Sequence, residues 1–371
     1  MNYLDANASA LPLPTESIQQ SSGNPSSAHR AGQMARARIE NARETIAALM
    51  GTAAGRLVFT SGGSESVATA LWAGPESFRT IYHCATDHPV TRKCAALLRK
   101  RCGRNTVHIA IDKHARPNPE AISGPAIVTL QIAHSELGTV LTPQWIEKIA
   151  GTPGNRGNLL LHLDGCQALG KIDLRPYLDL ADLASFSGHK IGAPTGIGLL
   201  YVREGLGELD PLIPGEQEWR RRGGTENIFG IESLASVAAQ RLTAAHIREQ
   251  NIRWITLTNH LRARLADTSP DVQILSPAIS DGCLSQTTFL RIPGLQSNVA
   301  VIAFDKRGIA VSAGTACRSG LVEANETALA LGLSQQQAAE TLRVSLDWST
   351  SLDQIDAFVE ALTAIRRALT R

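Results

Sequence analysis

Two residues that could carry chemistry together, Asp164 and Lys190, each follow a short apolar run. The aspartate lies in Leu161-His-Leu-Asp-Gly-Cys-Gln167, and the lysine ends Ser185-Phe-Ser-Gly-His-Lys190. Pyridoxal phosphate needs such a pair, because a lysine amine holds it as a Schiff base and a carboxylate keeps its pyridine nitrogen protonated. If Lys190 and Asp164 hold this cofactor, the protein is an enzyme that acts on an amino acid; the alternative is that Lys190 is a solvated loop lysine.

The apolar runs before these residues predict an α/β fold. Strand-like runs cover residues 56–60, 80–85, 126–133, 159–163, 183–186 and 197–202, and helical patterns cover residues 67–72, 90–101, a stretch that opens at 142, and 228–266. This alternation predicts a mostly parallel sheet covered by helices on both faces. Ligands of such sheets bind beyond the carboxyl ends of the strands. We therefore expect the residues that follow the strands to converge on one crevice: Ser61, Asp87, His134, Asp164 and Ser187.

The C-terminal part has a different pattern. Strand-like runs at 287–292, 309–312 and 342–346 mix with helical patterns at 299–306, 334–340 and 352–369. This predicts a smaller α+β domain. The predicted bounds are 14–250 for the large cofactor-binding domain, and 1–13 with 251–371 for the small domain.

Composition narrows the functional class. The chain has 371 residues, a formal net charge of +2 and 4% aromatic residues, which suits neither a nucleic-acid surface nor a membrane protein. No secretory signal and no apolar run near the ~20 residues of a membrane helix are present. The six cysteines show neither C-x-x-C pairs nor a disulfide framework, so we expect reduced thiols in a cytoplasmic protein.

Ser61-Gly-Gly-Ser64 lies between a predicted strand and a predicted helix. Backbone N–H groups and the helix dipole favour a phosphate there, although glycine-serine turns are usually only turns. We expect no metal, because His83 and His88 have no further ligands at zinc spacing. Neither G-x-G-x-x-G nor a P-loop occurs at a strand–helix junction.

A series of motifs resembles the cysteine desulfurases of the class V aminotransferase family, which include the nitrogen-fixation and iron–sulfur-cluster desulfurases. The resemblance runs nearly end to end and implies a fold-type I pyridoxal-phosphate transferase with a seven-stranded type of sheet. The motifs are, in order, Tyr3-Leu-Asp-Ala-Asn-Ala-Ser9, Gly23-Asn-Pro-Ser-Ser-Ala-His29, Phe59-Thr-Ser-Gly-Gly-Ser-Glu-Ser66, Asp87-His-Pro89, Ser135-Glu-Leu-Gly138, Asp164-Gly-Cys-Gln167, Ser185-Phe-Ser-Gly-His-Lys190, Arg222-Gly-Gly-Thr-Glu-Asn227, Ser312-Ala-Gly-Thr-Ala-Cys317 and Leu342-Arg-Val-Ser345.

The resemblance assigns catalytic roles to three residues. Lys190 would bind pyridoxal phosphate and move the substrate's α-proton. His88 would stack over the ring and help in proton transfers. Cys317 would attack the sulfur of L-cysteine and carry it as a persulfide, leaving L-alanine.

The resemblance also assigns the binding residues. Asp164 would pair with the pyridine nitrogen, and Gln167 would bond the phenolic oxygen. The substrate residues would be Arg343, which clamps the carboxylate, and Asn7. The phosphate residues would be Gly63, Ser64, Ser187 and His189, together with Thr225 from the neighbouring subunit of a homodimer.

The sequence around Cys317 differs from that around the other five cysteines. A cysteine is normally a small apolar residue of the core, and we expect this of the other five. Cys317 lies in a small, polar segment, and Arg318 beside it favours the thiolate. The persulfide would pass to a sulfur-acceptor protein, for cluster assembly or thiolation, which the sequence does not identify.

The chain departs from the family pattern at several positions. Two asparagines usually precede the glutamate of the fifth motif, where this chain has His134 and Ser135. The first normally contacts the cofactor's phenolic oxygen, so His134 either replaces that contact or reflects neutral drift. Residues 220–222 are three arginines, where the family commonly has a glycine.

Two other functions remain open from the sequence. A selenocysteine lyase, β-lyase or small-amino-acid aminotransferase of the same fold could keep Lys190, Asp164 and Arg343 without needing Cys317. A catalytically degenerate scaffold would bind partners only, against which the intact set of these four residues argues.

Overall fold

A seven-stranded sheet forms the centre of the protein in a computed structural model, which describes residues 1–14, 23–74, 77–119, 122, 124–151, 157–206, 209–314 and 324–369. All neighbouring strands run parallel, except that one strand is antiparallel to both of its neighbours. In sheet order the strands are β2 (Leu57–Thr60), β8 (Gly198–Val202), β7 (Leu183–Ser187), β6 (Leu159–Asp164), β5 (Ala126–Gln131), β3 (Thr80–Cys84) and β4 (Asn105–Ile109).

Alternating side chains of these strands enter two different apolar clusters. In β2, Leu57 and Phe59 pack in the larger cluster, whereas Val58 packs in the smaller one on the other face. Because successive side chains of a strand point to opposite faces, an apolar residue at every position requires cover on both sides. The sheet is therefore the middle layer of three.

Helices form the outer layers. α1 contributes Ile39 and Ile46 to the larger cluster, and α2 contributes Val67 and Leu71 to the smaller one. The helices are α1 (Arg30–Met50), α2 (Gly63–Trp72), α3 (Pro89–Cys102), α4 (Pro143–Ala150), α5 (Arg175–Leu178), α6 (Ile228–Arg241), α7 (Ala244–Thr268), α8 (Ser297–Asp305), α9 (Glu326–Ala330), α10 (Gln335–Ala338) and α11 (Leu352–Leu369).

Two smaller sheets belong to the C-terminal part. β12 (Thr341–Ser345), β10 (Thr287–Arg291) and β9 (Gln273–Ile274) form an antiparallel sheet in that order. β1 (Asn2–Tyr3) pairs in parallel with β11 (Ile309–Ala310). The segment after β1 therefore lies between the C-terminal part and the large sheet.

The predicted α/β fold with a mostly parallel sheet is confirmed. Six described elements have no counterpart in the sequence expectations: α1, α5, α9, β1, β4 and β9. The long pattern predicted at 228–266 is two helices, α6 and α7, which residues 242–243 separate. The domain bounds stay a prediction, supported by the pairing of β1 with β11. None of the described helices is long and apolar enough to span a membrane.

Candidate active site

A cavity of about 880 Å³ lies at the carboxyl ends of the parallel strands, between the large sheet and the C-terminal part. Its lining includes most of the residues that the sequence singled out. They are Asn7, Gly63, Ser64, His88, Asp164, Gln167, Ser187, His189, Lys190 and Arg343. Of the five residues expected to converge on one crevice, Ser61, Asp164 and Ser187 line this cavity, whereas Asp87 and His134 do not.

The turn between β2 and α2 forms one end of the cavity. α2 begins at Gly63, so the N–H groups of its first turn have no partner within the helix and face the cavity. A side chain at Gly63 would place its Cβ 2.5 Å from Cys166 Sγ and 3.1 Å from Ser187 Cβ. Only glycine fits at this position. Glu65 closes the turn by accepting from Ser61 N (2.8 Å) and pairing with Arg222 (2.9 Å).

Asp164 lies at the last position of β6, and its side chain is buried. Oδ1 accepts a hydrogen bond from the backbone N–H of Cys166 at 3.0 Å. A buried carboxylate needs hydrogen-bond donors, and a protonated ring nitrogen in the cavity would supply one.

Lys190 lies in a short 3₁₀ turn after β7, the strand that pairs with the strand of Asp164, β6. Its Nζ donates to the carbonyl oxygens of Asn7 (2.5 Å) and Ala8 (2.9 Å). Burial, followed by the positive charge of Arg343, lowers the pKa of Lys190 to about 8. A substantial share of this amine is therefore neutral and nucleophilic near neutral pH.

The amide of Gln167 is bonded at both ends. Nε2 donates to the carbonyl oxygen of Asn7 at 2.8 Å, and Oε1 accepts from Lys171 Nζ at 2.8 Å. Because a carbonyl oxygen only accepts, the partner Asn7 O fixes which end of the amide is nitrogen. The second N–H of Gln167 remains for a ligand in the cavity.

Arg343 lies in β12, in the C-terminal part, and lines the cavity. Its Nη2 pairs with Asp5 Oδ1 at 2.6 Å, and Nη1 donates to the Ser135 carbonyl at 3.1 Å. Asn7 donates from Nδ2 to Ser135 O and Thr287 Oγ1, and its buried Oδ1 has no hydrogen-bond partner within the described residues. These groups suit an amino-acid substrate, whose carboxylate accepts and whose ammonium donates.

Two histidines border the cavity from different elements. His88 is the N-cap of α3, where its Nδ1 accepts from Val90 N at 3.2 Å, and it lines the cavity. His189 contacts Ser9 Oγ at 3.3 Å. Burial, and then the charges of Lys190 and Lys171, lower the pKa of His189 to about 4, which keeps the ring neutral.

The structure does not bring His134 to the cavity. Its ring is buried behind the site, where Nε2 contacts Thr86 O at 3.1 Å and Nδ1 accepts from the backbone N–H groups of Glu136 and Leu137. With both nitrogens engaged by the backbone, the expectation that His134 reaches the cofactor is corrected. The neighbouring residue Ser135 lines the cavity instead.

Two predicted site residues, Thr225 and Cys317, are not among the residues named above. Thr225 is exposed and does not line the cavity of its own chain, as a contact to a neighbouring subunit requires. Cys317 lies outside the described residues. The residues near it on either side, Gly314 and Ala324, line the cavity.

The remaining cysteines are all free, and most of them are buried or partly buried. Cys102 is the exception, since it is exposed on the last turn of α3, contrary to the expectation of a core residue. Burial raises the pKa of the thiols of Cys84 and Cys166.

Comparison with known proteins decides the family. The family model described as aminotransferase class V matches residues 3–358. The chain belongs to this family. A cysteine desulfurase of Nostoc sp. is 33% identical over 352 residues, which are 92% of this chain and 86% of that protein. A cysteine desulfurase of Bradyrhizobium diazoefficiens is 33% identical and covers 100% of this chain and 94% of its own length.

A solved structure agrees with this placement. A NifS-like protein from Rickettsia africae superposes with a TM-score of 0.83 at 25% identity, covering 98% of this chain and 99% of that one. The resemblance to cysteine desulfurases that the motifs predict is therefore confirmed, and with it a fold-type I enzyme that depends on pyridoxal phosphate. The lyase, aminotransferase and scaffold alternatives are not favoured.

The residues present fit this cofactor. Gly63 lets the N-terminus of α2 approach Cys166 and Ser187 closely, and the N–H groups of this N-terminus suit the phosphate. The amine of Lys190 and the carboxylate of Asp164 face the same cavity. No group of three or more His, Cys, Asp or Glu side chains that could hold a metal ion occurs in the described part of the chain.

Two residues of the site, Asp5 and Lys171, were missed by the sequence reasoning. Asp5 pairs with Arg343, and Lys171 bonds Gln167. Asp5 stands inside a motif already recognised, which was the available signal. Asp87, which was expected at the crevice, accepts from Cys84 N and Gln131 Nε2 instead, and burial raises its pKa to about 7.

Proposed function

We propose that this protein is a cysteine desulfurase that converts L-cysteine to L-alanine and carries the released sulfur as a persulfide on Cys317. The supporting observation is that Lys190, Asp164 and Arg343 line one cavity, beside the residues that flank the segment carrying Cys317. The amine, the carboxylate and the guanidinium are the three groups that an amino-acid enzyme with pyridoxal phosphate requires.

The chain's own residues would bind and orient both molecules. Pyridoxal phosphate, when bound, supplies the electron sink that makes the α-proton and the β-carbon–sulfur bond of the substrate labile. Lys190 would hold it covalently, and the side chains of Asp164 and Gln167 would bond its ring atoms. The phosphate would lie at the N-terminus of α2, among the residues Gly63, Ser64, Ser187 and His189.

Residues of the C-terminal part and of the segment after β1 would bind the substrate. Arg343 would hold the carboxylate of L-cysteine by a fork of two N–H donors, with Asn7 beside it. The neutral amine of Lys190 is the base that takes the α-proton, and His88 assists from the N-cap of α3. The match between the pKa of Lys190, about 8, and neutral pH suits this role.

Cys317 would carry out the sulfur transfer. Its thiolate would attack the substrate sulfur, so that an S–S bond forms while the carbon–sulfur bond breaks. The bonding electrons stay with the substrate carbon, which takes up a proton and gives alanine. The persulfide would then pass its outer sulfur to an acceptor protein, in cluster assembly or thiolation within the cytoplasm.

The test is the mass of the intact protein after brief exposure to L-cysteine without reductant. We expect a gain of one sulfur on the peptide that contains Cys317, with alanine in solution. C317S should lose both, whereas C102S, a control at an exposed cysteine, should keep both. Alanine or pyruvate without the adduct would instead identify a lyase or aminotransferase, and no product would revive the scaffold.

A homodimer is part of this proposal, because Thr225 is exposed and does not line its own chain's cavity. If Thr225 completes the neighbour's phosphate site, K190A and T225W are each inactive alone. Mixed dimers of the two contain one site with both Lys190 and Thr225 intact. Recovery of activity on mixing supports the shared site, and no recovery in verified mixed dimers contradicts it.

A further inference from the structure

Lys171 is a charged residue type in a fully buried position, and no step of the proposed reaction uses it. Its side chain is 1% exposed, among the largest buried side chains of the protein. It lies four residues after Gln167, on the turn that follows β6. A lysine is almost never buried this completely without a specific partner.

The partner of Lys171 is Gln167. Nζ lies 2.8 Å from Gln167 Oε1, which is the one side-chain hydrogen bond of Nζ that the described residues show. Gln167 Nε2 in turn donates to Asn7 O at 2.8 Å. The amide is therefore held from both ends, and its remaining N–H is directed by these two bonds.

The surroundings of Lys171 carry charge of both signs. Lys190 and Arg343 lower the pKa of Lys171, whereas Asp347 and Cys166 raise it. Its own turn is anchored by Asn251 of α7, which donates to Lys171 O at 2.8 Å. Burial, and then the nearby cations, lower the pKa of Lys171 well below its ordinary value.

We propose that Lys171 is a positioning residue that holds the amide of Gln167 so that its free N–H points to the cofactor's phenolic oxygen. Without this donor, Gln167 Oε1 would be a buried acceptor with no partner, and the side chain would turn to satisfy it. The inference deepens the proposed function and rests on it.

The phenolic oxygen provides the readout. A donor on this oxygen stabilises its negative charge, so the bound cofactor releases its proton at a lower pH. This proton release changes the visible absorption band. Loss of the donor should therefore raise the pH midpoint of the band, a quantity that a merely structural residue would not move.

The experiment titrates the visible band of the cofactor-loaded protein. K171M should raise the midpoint by about 0.5 pH unit or more, which is about a threefold change in proton affinity. K171Q, which keeps an N–H donor, should stay closer to the wild type than K171M does. K148M, at an exposed lysine on α4, should leave the midpoint unchanged.

A double-mutant cycle separates positioning from direct electrostatics. If Lys171 acts through Gln167, K171M has no further effect in a Q167L background. An equal shift in both backgrounds, or no shift in K171M, overturns the proposal.

Two further outcomes are also decisive. If K171M does not fold, the truncation K171A takes its place in the wild-type and Q167L backgrounds, where a shift only with Gln167 present supports the proposal, and an equal shift in both or no shift contradicts it. Wild-type protein without a visible cofactor band would overturn the proposed function as well, so the two failures are distinguishable.

Discussion

The lowered pKa of Lys190 predicts how fast the cofactor-free protein captures pyridoxal phosphate at each pH. Only the neutral amine attacks the aldehyde. At pH 7.5 an amine with a pKa of about 8 is about one quarter neutral, whereas a lysine with a pKa near 10.5 is about 0.1% neutral. The environment of Lys190 therefore raises the reactive fraction about 200-fold.

Stopped-flow absorbance measures this capture directly. We expect the rate to rise with pH and to level off with a midpoint near 8. Removal of the nearby positive charge in R343M should move the midpoint upwards, because Arg343 is the second cause of the lowered pKa. An analogue that lacks the aldehyde controls for the pH dependence of phosphate binding.

Two results would refute this reasoning. A wild-type midpoint near 10 would mean that the carbonyl oxygens of Asn7 and Ala8 stabilise the ammonium more than burial destabilises it. An unchanged midpoint in R343M would remove Arg343 as a cause. In either case the base of the proposed reaction would be mostly protonated at neutral pH or controlled by another group.

Three further predictions concern binding and stability. G63A should weaken pyridoxal phosphate binding at least about tenfold in a fluorescence titration, because its Cβ would lie 2.5 Å from Cys166 Sγ; the G63A/C166A pair should recover part of the affinity. E218Q should lower the free energy of unfolding by about 3 kcal/mol in urea denaturation, because it removes the buried carboxylate partner of the Arg43 guanidinium and leaves only the more exposed Glu40. R220G should raise the same quantity by about 1 kcal/mol, because Arg220 has a φ of +64°; no gain would mean that this arginine's contacts outweigh the backbone cost.

The sequence predicts the site best where a polar residue ends a buried strand. Asp164 and Lys190 follow the apolar strands β6 and β7, and the carboxyl ends of parallel strands meet at one edge. His134 was predicted wrongly because it follows β5 in the same way. The turn after β5 decides which of two adjacent side chains faces the cavity, and the structure selects Ser135.

The missed elements have weak sequence signals for physical reasons. α1 buries Ala35, Ala42 and Ala47 beside its two isoleucines, so its apolar stripe consists largely of small residues. β4 is an edge strand, where Val107 and His108 are exposed and the apolar run is short. Lys171 was missed because burial of a lysine depends on tertiary packing, which no local pattern encodes.

The segment after β1 lies between the C-terminal part and the large sheet, and this position has a consequence for synthesis on the ribosome. Asp5 and Asn7 contact Arg343 and Thr287, which the ribosome adds roughly 300 residues later. The seven-stranded sheet is complete at Val202, so a nascent chain can fold its large layer while this early segment still lacks its C-terminal partners. The carbonyls that bond Lys190 therefore reach their final places only in the last part of translation, and cofactor capture by the emerging chain should be delayed to the same stage.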